Sequence, residues 1–97
     1  MSKMDQAKLL MKARKLQKEL QHEIIEVEAG EGAVRVEITG EQKIKNIRID
    51  PEMIDMEDIG QLENWLQEAI REAISESQKL AAEKMQPMMS QLGNLGL

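Results

Sequence analysis

Between Glu23 and Asp50 the apolar residues of this chain change their spacing, and that change decides what it can fold into. From Lys3 to about His22, Leu9, Ala13, Leu16 and Leu20 recur every three or four residues, the stripe of an amphipathic helix with its core face on that side. In EIIEVEAGEGAVRVEITGEQKIKNIRID the period drops to two: Val34, Val36 and Ile38 alternate with Arg35, Glu37 and Thr39, which gives one apolar and one wet face. The Val and Ile content divides this stretch into three strands, about Ile24 to Ala29, Ala33 to Thr39 and Gln42 to Ile49. The helical period then returns. A helix, a three-stranded antiparallel meander and a long C-terminal helix make an α+β protein of αβββα order, and 97 residues hold one such domain, spanning 1–97.

The connections carry their own signals. Gly30 and Gly32 supply the first turn, and Gly40 with Glu41 suits a two-residue type II′ hairpin in which glycine takes positive φ. In the third strand Ile44 is out of phase with Ile47 and Ile49, which predicts either a β-bulge near Lys45 and Asn46 or a strand whose two ends use opposite faces. Asp50-Pro51 ends the ladder. The second helix is expected to start near Asp55 or Asp58 and to run to about Met85. Ile59, Leu62, Leu66, Ala69, Ile70, Ala73, Ile74, Leu80 and Ala81 form its apolar stripe, and Glu68, Glu72, Glu76 and Glu83, against Arg71 and Lys79, make its outward face acidic. Pro87 and the segment that follows, about 86–97, read as a flexible Met/Gly tail.

Enzymatic chemistry finds little material. The chain has no cysteine, which removes thiolate nucleophiles and zinc-thiolate sites and suits a reducing cytoplasm. His22 is the only histidine, and Ser75 and Ser77 lie within a helix without a base nearby in sequence, so no nucleophile, base and orienting group converge. GEG at 30–32 is a turn with no helix after it to receive a phosphate. Asp50, Asp55, Glu57 and Asp58 lack the alternate-residue pattern of a calcium loop and read as a strand stop and helix cap. Trp65, the single aromatic residue, reads as a core or dimer contact, and its isolation weakens any binding mode that stacks bases on rings. No enzyme activity, cofactor, metal or membrane contact is expected; no stretch approaches the roughly 20 apolar residues of a span, and the N-terminus lacks the apolar core of a signal peptide.

What stands out is charge. Between Lys3 and Gln21 six cations (Lys3, Lys8, Lys12, Arg14, Lys15 and Lys18) face two carboxylates (Asp5 and Glu19), a net +4 in a chain whose total is -5, which leaves -9 elsewhere. On the helical wheel Lys8, Lys12 and Lys15 form one row and Lys3, Arg14 and Lys18 a second, with Met4 and Met11 between them. Such a face is either simply solvated, or it contacts phosphates by displacing their counterions, or, with its exposed methionines, it docks an acidic protein.

Element order and local residues together carry a resemblance. KLLMKARKLQKEL in the first helix, GEGAVRVEITGEQKIKNIRIDPEMI through the hairpin, and MEDIGQLENWLQEAIREA at the start of the second helix resemble the YbaB/EbfC family of bacterial nucleoid-associated proteins across essentially the whole chain. The resemblance implies a homodimer whose helices project like tweezers, which binds duplex DNA without a cofactor and resides in the cytoplasm on the nucleoid. It also implies that Lys8, Lys12, Arg14, Lys15 and Lys18 are the DNA-binding residues. The alternative is a dimeric module whose basic helix docks an acidic protein partner.

Overall fold

A computed structural model describes residues 2–94. The order is α1 (Lys3–His22), β1 (Ile24–Ala29), a 3-10 turn (Gly30–Gly32), β2 (Val34–Thr39), β3 (Ile44–Ile49), a second 3-10 turn (Pro51–Met53) and α2 (Ile59–Asn94). Local chemistry sets most of these limits. Ser2 and Asp5 close a capping box on α1, the Ser2 hydroxyl accepting from the Asp5 N–H at 3.2 Å. Asp58 Oδ1 accepts from the Gln61 N–H at 3.3 Å, so of the two expected caps Asp58 starts α2. Asp50 and Asp55 turn their carboxylates to the Glu52 and Glu57 N–H groups at 3.0 and 2.9 Å. The acidic loop is therefore occupied in turn and cap geometry.

The strands form one antiparallel sheet of order β1-β2-β3, and α2 lies over β1 and β2. Val27, Ala29, Val34, Val36 and Ile38 from the sheet meet Ala69 and Ala73 from the helix in the buried core, with Ile25, Leu62, Trp65, Leu66 and Ile70 packed at its margin. Small alanines on the helix let it approach the branched side chains of β2 closely. Trp65 lies against Gly30, where a Cβ would come within 2.5 Å of the indole, and Gly30 also has φ of +61°. Both crowding and backbone conformation demand glycine there.

Of the two readings of the third strand, the bulge is the one observed. Glu37 pairs with Asn46 and Ile38 with Ile44, which leaves Lys45 as the extra residue. The inserted residue restores the phase, so that Ile44, Ile47 and Ile49 stand opposite Ile38, Val36 and Val34 on the core face. The hairpin turn differs from expectation. Gly40 does not have positive φ; Gln42 does, at 67°. The Thr39 N–H donates to the Lys43 carbonyl at 2.8 Å and the Gln42 N–H to the Thr39 carbonyl at 3.1 Å. These bonds close a three-residue loop over Gly40, Glu41 and Gln42 whose last member is left-handed. Glycine at 40 answers a different need: its N–H donates to both the Leu20 and the Glu23 carbonyls, at 2.9 and 3.1 Å, and a Cβ would meet the Leu20 side chain at 2.8 Å. It lets the hairpin sit against the end of α1.

The second helix also departs from expectation. It does not stop near Met85; it continues through Pro87 to Asn94, so the anticipated flexible tail is helical as far as the described residues run, and 95–97 lie outside them. Proline removes one backbone bond to Glu83, but the stripe that packs α2 inward continues past it, with Met88 and Gln91 still half-buried. Beyond Ser77, whose hydroxyl donates to the Thr39 carbonyl at 2.7 Å and accepts from the Gln42 N–H at 3.1 Å, α2 leaves the sheet and runs along α1. The pair makes an arm, and the molecule measures 64 × 20 × 15 Å.

Candidate nucleic-acid interface

The arm is built from the α1 stripe. Leu9, Ala13 and Leu16 are half-buried and Leu20 is buried, as the spacing predicts. Two polar contacts span the helices along its length: Lys84 Nζ to Glu23 Oε1 at 3.4 Å near the sheet, and Lys12 Nζ to Gln91 Oε1 at 2.6 Å farther out. With the stripe inward, the basic rows must face out. Lys8, Lys12, Arg14, Lys15 and Lys18 are all exposed, and among the described residues none of the five is in an ion pair. Met4 and Met11 stand between the rows at 73% and 68% exposure, and Leu10 adds 54%.

The acidity of the second helix divides at Ser77. Glu63, Glu68, Glu72 and Glu76 belong to the half that covers the sheet, whereas the half in the arm carries Lys79 and Lys84 against Glu83. Residues 3–22 and 77–94 together hold eight cations (Lys3, Lys8, Lys12, Arg14, Lys15, Lys18, Lys79 and Lys84) and three carboxylates (Asp5, Glu19 and Glu83), a net +5. The total of -5 then leaves -10 on the body. The outward face of α2 is thus acidic only over the sheet. The signal was available in the change of sign between Glu76 and Lys79, but its meaning depends on knowing where the helix leaves the sheet. Lys79 lies beside Glu76 at 3.5 Å, a contact that spans the boundary.

Other chemistry is sparse. Among the described residues no three His, Cys, Asp or Glu side chains come together as a metal site, and no helix is long and apolar enough to cross a membrane. His22 is exposed at the end of α1, and Ser75 is exposed on α2. Ser77 is fully buried and spends its hydroxyl on the hairpin.

Fold and arm thus define a class: a small α+β protein with charge segregated along its length and basic side chains displayed on a projecting helix pair. The chain belongs to the YbaB/EbfC DNA-binding family, whose model matches residues 1–92. It is similar to a nucleoid-associated protein of Chloroflexus aurantiacus, 39% identical over 82 residues that cover 84% of this chain and 82% of the relative. A nucleoid-associated protein of Corynebacterium jeikeium is 34% identical over 103 residues, with 99% of each chain covered. Among solved structures, an uncharacterised Helicobacter pylori protein shares the fold with a TM-score of 0.78 at 17% identity, over 86% of this chain and 87% of that one.

Proposed function

We propose that this protein is a non-enzymatic, nucleoid-associated protein of the bacterial cytoplasm that binds duplex DNA as a homodimer, through Lys8, Lys12, Arg14, Lys15 and Lys18 of the first helix, with little sequence readout. The observation that carries the reading is the segregation of charge, +5 on the arm against -10 on the body, with the α1 cations exposed and free of carboxylate partners among the described residues. Flexible lysines on a helix face neutralise phosphates as point charges and gain affinity from released counterions, a contribution that ignores base identity. The family description and the names of the relatives point to the same partner.

The homodimer is supported by what the protomer leaves open. Ile44, Ile47 and Ile49 lie on the core face of β3, beyond the strands that α2 covers, and are 42%, 41% and 43% exposed. An edge strand with an apolar row and free backbone groups needs a cover, and a second copy supplies one of matching chemistry. Pairing also doubles the arms, so that two modest basic surfaces act together on one duplex. Ile47→Asp is expected to give a monomer in sedimentation; an unchanged dimer would remove β3 from the interface.

DNA binding is tested by titrating a labelled duplex with the wild type and with Lys8→Glu/Lys12→Glu/Lys15→Glu at several salt concentrations. That row points away from the packed stripe, so the variant should stay folded. Its affinity should fall alike for unrelated sequences, and the slope of log affinity against log salt should shrink by about 0.9 for each phosphate contact removed. A variant that binds as well as the wild type refutes first-helix binding. The exposure of Met4, Leu10 and Met11 favours a second reading, an acidic protein docked on the same face. A wild type that does not bind duplex at physiological salt would make that reading the better one.

A further inference from the structure

The basic surface does not end with α1. Its last turn brings His22 to two adjoining shallow grooves: one holds it with Lys15 and Lys18, the other with Thr39, Lys43 and Lys45 of the β2–β3 hairpin. Lys43 and Lys45 are exposed, and among the described residues neither is in an ion pair. Their position follows from features already described. The contact of Gly40 with the Leu20 and Glu23 carbonyls holds the hairpin against the end of α1. The bulge leaves Lys45 without a partner in the ladder, between Ile44 on the core face and Asn46 opposite Glu37. Regular pairing would have placed Lys45 with the apolar row; the inserted residue turns it to water beside Lys43.

We infer that Lys43 and Lys45, at the bulged end of the β2–β3 hairpin, are a second phosphate-contact site for duplex DNA, continuing the track that begins on the arm. This rests on the DNA-binding reading above and extends it from the arm to the sheet. From Lys8 to His22 the α1 axis covers about 21 Å at 1.5 Å per residue, which is the length of about six phosphates at 3.4 Å per nucleotide. A duplex laid along that face arrives at the hairpin before it has completed a turn, and it needs cations there, because the acidic body begins at the same place. Three carboxylates border the two grooves, Glu19, Glu23 and Glu41. Glu23 is paired with Lys84, which leaves Glu41 in the groove of the two hairpin lysines and Glu19 in the groove of Lys15 and Lys18. With Glu37, which stands across the ladder from the bulge, counted as well, four lysines (Lys15, Lys18, Lys43 and Lys45) meet three carboxylates outside ion pairs among the described residues (Glu19, Glu37 and Glu41), so the end of the track stays positive. A bulge that presents two lysines where the sheet meets the arm is a means of keeping the body's carboxylates from closing the track.

The test is fluorescence anisotropy with a labelled duplex of about 25 base pairs across a salt series, using the intact protein in three forms beside the wild type: Lys43→Gln/Lys45→Gln, Glu41→Gln and the α1 triple reversal. If each lysine neutralises one phosphate, the double variant lowers the salt slope by about 1.8 and, with the 1 M intercept unchanged, weakens binding about 60-fold at 0.1 M salt. Glu41→Gln, which removes a charge without burying or exposing a new group, should tighten binding several-fold and guards against a folding defect in the double variant. A double variant with wild-type slope and affinity, together with an indifferent Glu41→Gln, overturns the hairpin site while the arm reading stands on the loss in the triple reversal. Absence of salt-dependent binding by the wild type overturns both, and a triple reversal that binds normally while the double variant is impaired moves the contact from the arm to the hairpin.

Discussion

Replacing Gly40 with alanine separates two explanations of that glycine. If a left-handed conformation were the reason, asparagine would be a good substitute, because its side chain tolerates that region. The structure gives crowding as the reason: a Cβ at 40 meets Leu20 Cδ2 at 2.8 Å, the Leu20 carbonyl oxygen at 3.1 Å and Leu20 Cα at 3.3 Å. The side-chain atom can swing away only at the expense of a buried leucine, and the backbone atoms cannot, so the hairpin must lift from the end of α1. Overpacking of this kind costs about 1–3 kcal/mol. The two bonds from the Gly40 N–H, to Leu20 and Glu23, weaken with it, and each contributes about 1 kcal/mol. Against this, alanine restricts the unfolded chain and returns about 0.4–1 kcal/mol. The net loss is about 2 kcal/mol, which for a domain of this size lowers Tm by about 8–16 °C. Urea unfolding and calorimetry at one fixed protein concentration read it, since association would otherwise shift the midpoint. Gly40→Asn should be at least as damaging as Gly40→Ala. Stability within 0.5 kcal/mol of wild type for alanine, or a clear advantage of asparagine over alanine, would refute the steric account.

The loop's actual left-handed residue makes the complementary case. Gln42 at φ 67° holds a conformation that costs a non-glycine residue about 1–2 kcal/mol, so Gln42→Gly should raise the urea midpoint by the equivalent of about 0.5–1 kcal/mol after the entropy of the freer unfolded chain is subtracted, without altering the slope. Ser77→Ala removes the hydroxyl that donates to Thr39 and accepts from Gln42. Because the Gln42 N–H keeps its bond to the Thr39 carbonyl, no donor is orphaned there, and two lost bonds offset by alanine's helix propensity predict a loss of about 1–1.5 kcal/mol in the same assay. A Ser77→Ala protein as stable as wild type would show that the hairpin needs no anchor on α2.

Periodicity made the secondary structure legible, because burial on one face imposes it directly. The limits of α1 and β1, and the bulge that brings Ile44 into phase with Ile47 and Ile49, follow from which residues must avoid water. What was not legible depends on a neighbour distant in sequence. Gly40 reads as a turn former because glycine usually is one; that it faces Leu20 is a tertiary fact. Ser77 reads as an unremarkable helix serine until the hairpin is folded over it. Pro87 reads as a stop because local propensity says so, yet the inward stripe of α2 extends beyond it to Gln91. The candidate site was legible for the same reason as the helices: the outward face of α1 is fixed once its inward face is known. The places of the other lysines were not, because Lys79 and Lys84 join the arm only when α2 leaves the sheet, and Lys43 and Lys45 come beside His22 only when the hairpin docks on α1.

On the proposed reading, in which the arm contacts DNA, the sign of the whole chain is a poor guide to what a duplex there experiences. At 0.1 M salt the screening length is about 10 Å, while α1 is about 30 Å long. Most of the -10 on the body is then hidden from a phosphate at the outer half of the arm, where Lys3, Lys8 and Lys12 act almost alone. At 0.01 M the screening length grows to about 30 Å, and the body's repulsion reaches the same phosphate. Affinity should therefore climb with the usual log-log slope as salt falls toward 0.1 M and then flatten, since the attraction of the arm and the repulsion of the body strengthen together. Neutralising part of the body by Glu68→Gln/Glu72→Gln, two exposed carboxylates on the sheet-covering half of α2, should restore slope below 0.05 M and leave affinity at 0.15 M nearly unchanged. Anisotropy titrations from 0.01 to 0.2 M salt distinguish the cases. A straight line through the whole range for the wild type would mean that the body's charge does not reach the arm even when screening is weak, and that the segregation of charge along this molecule is not what limits its grip on DNA.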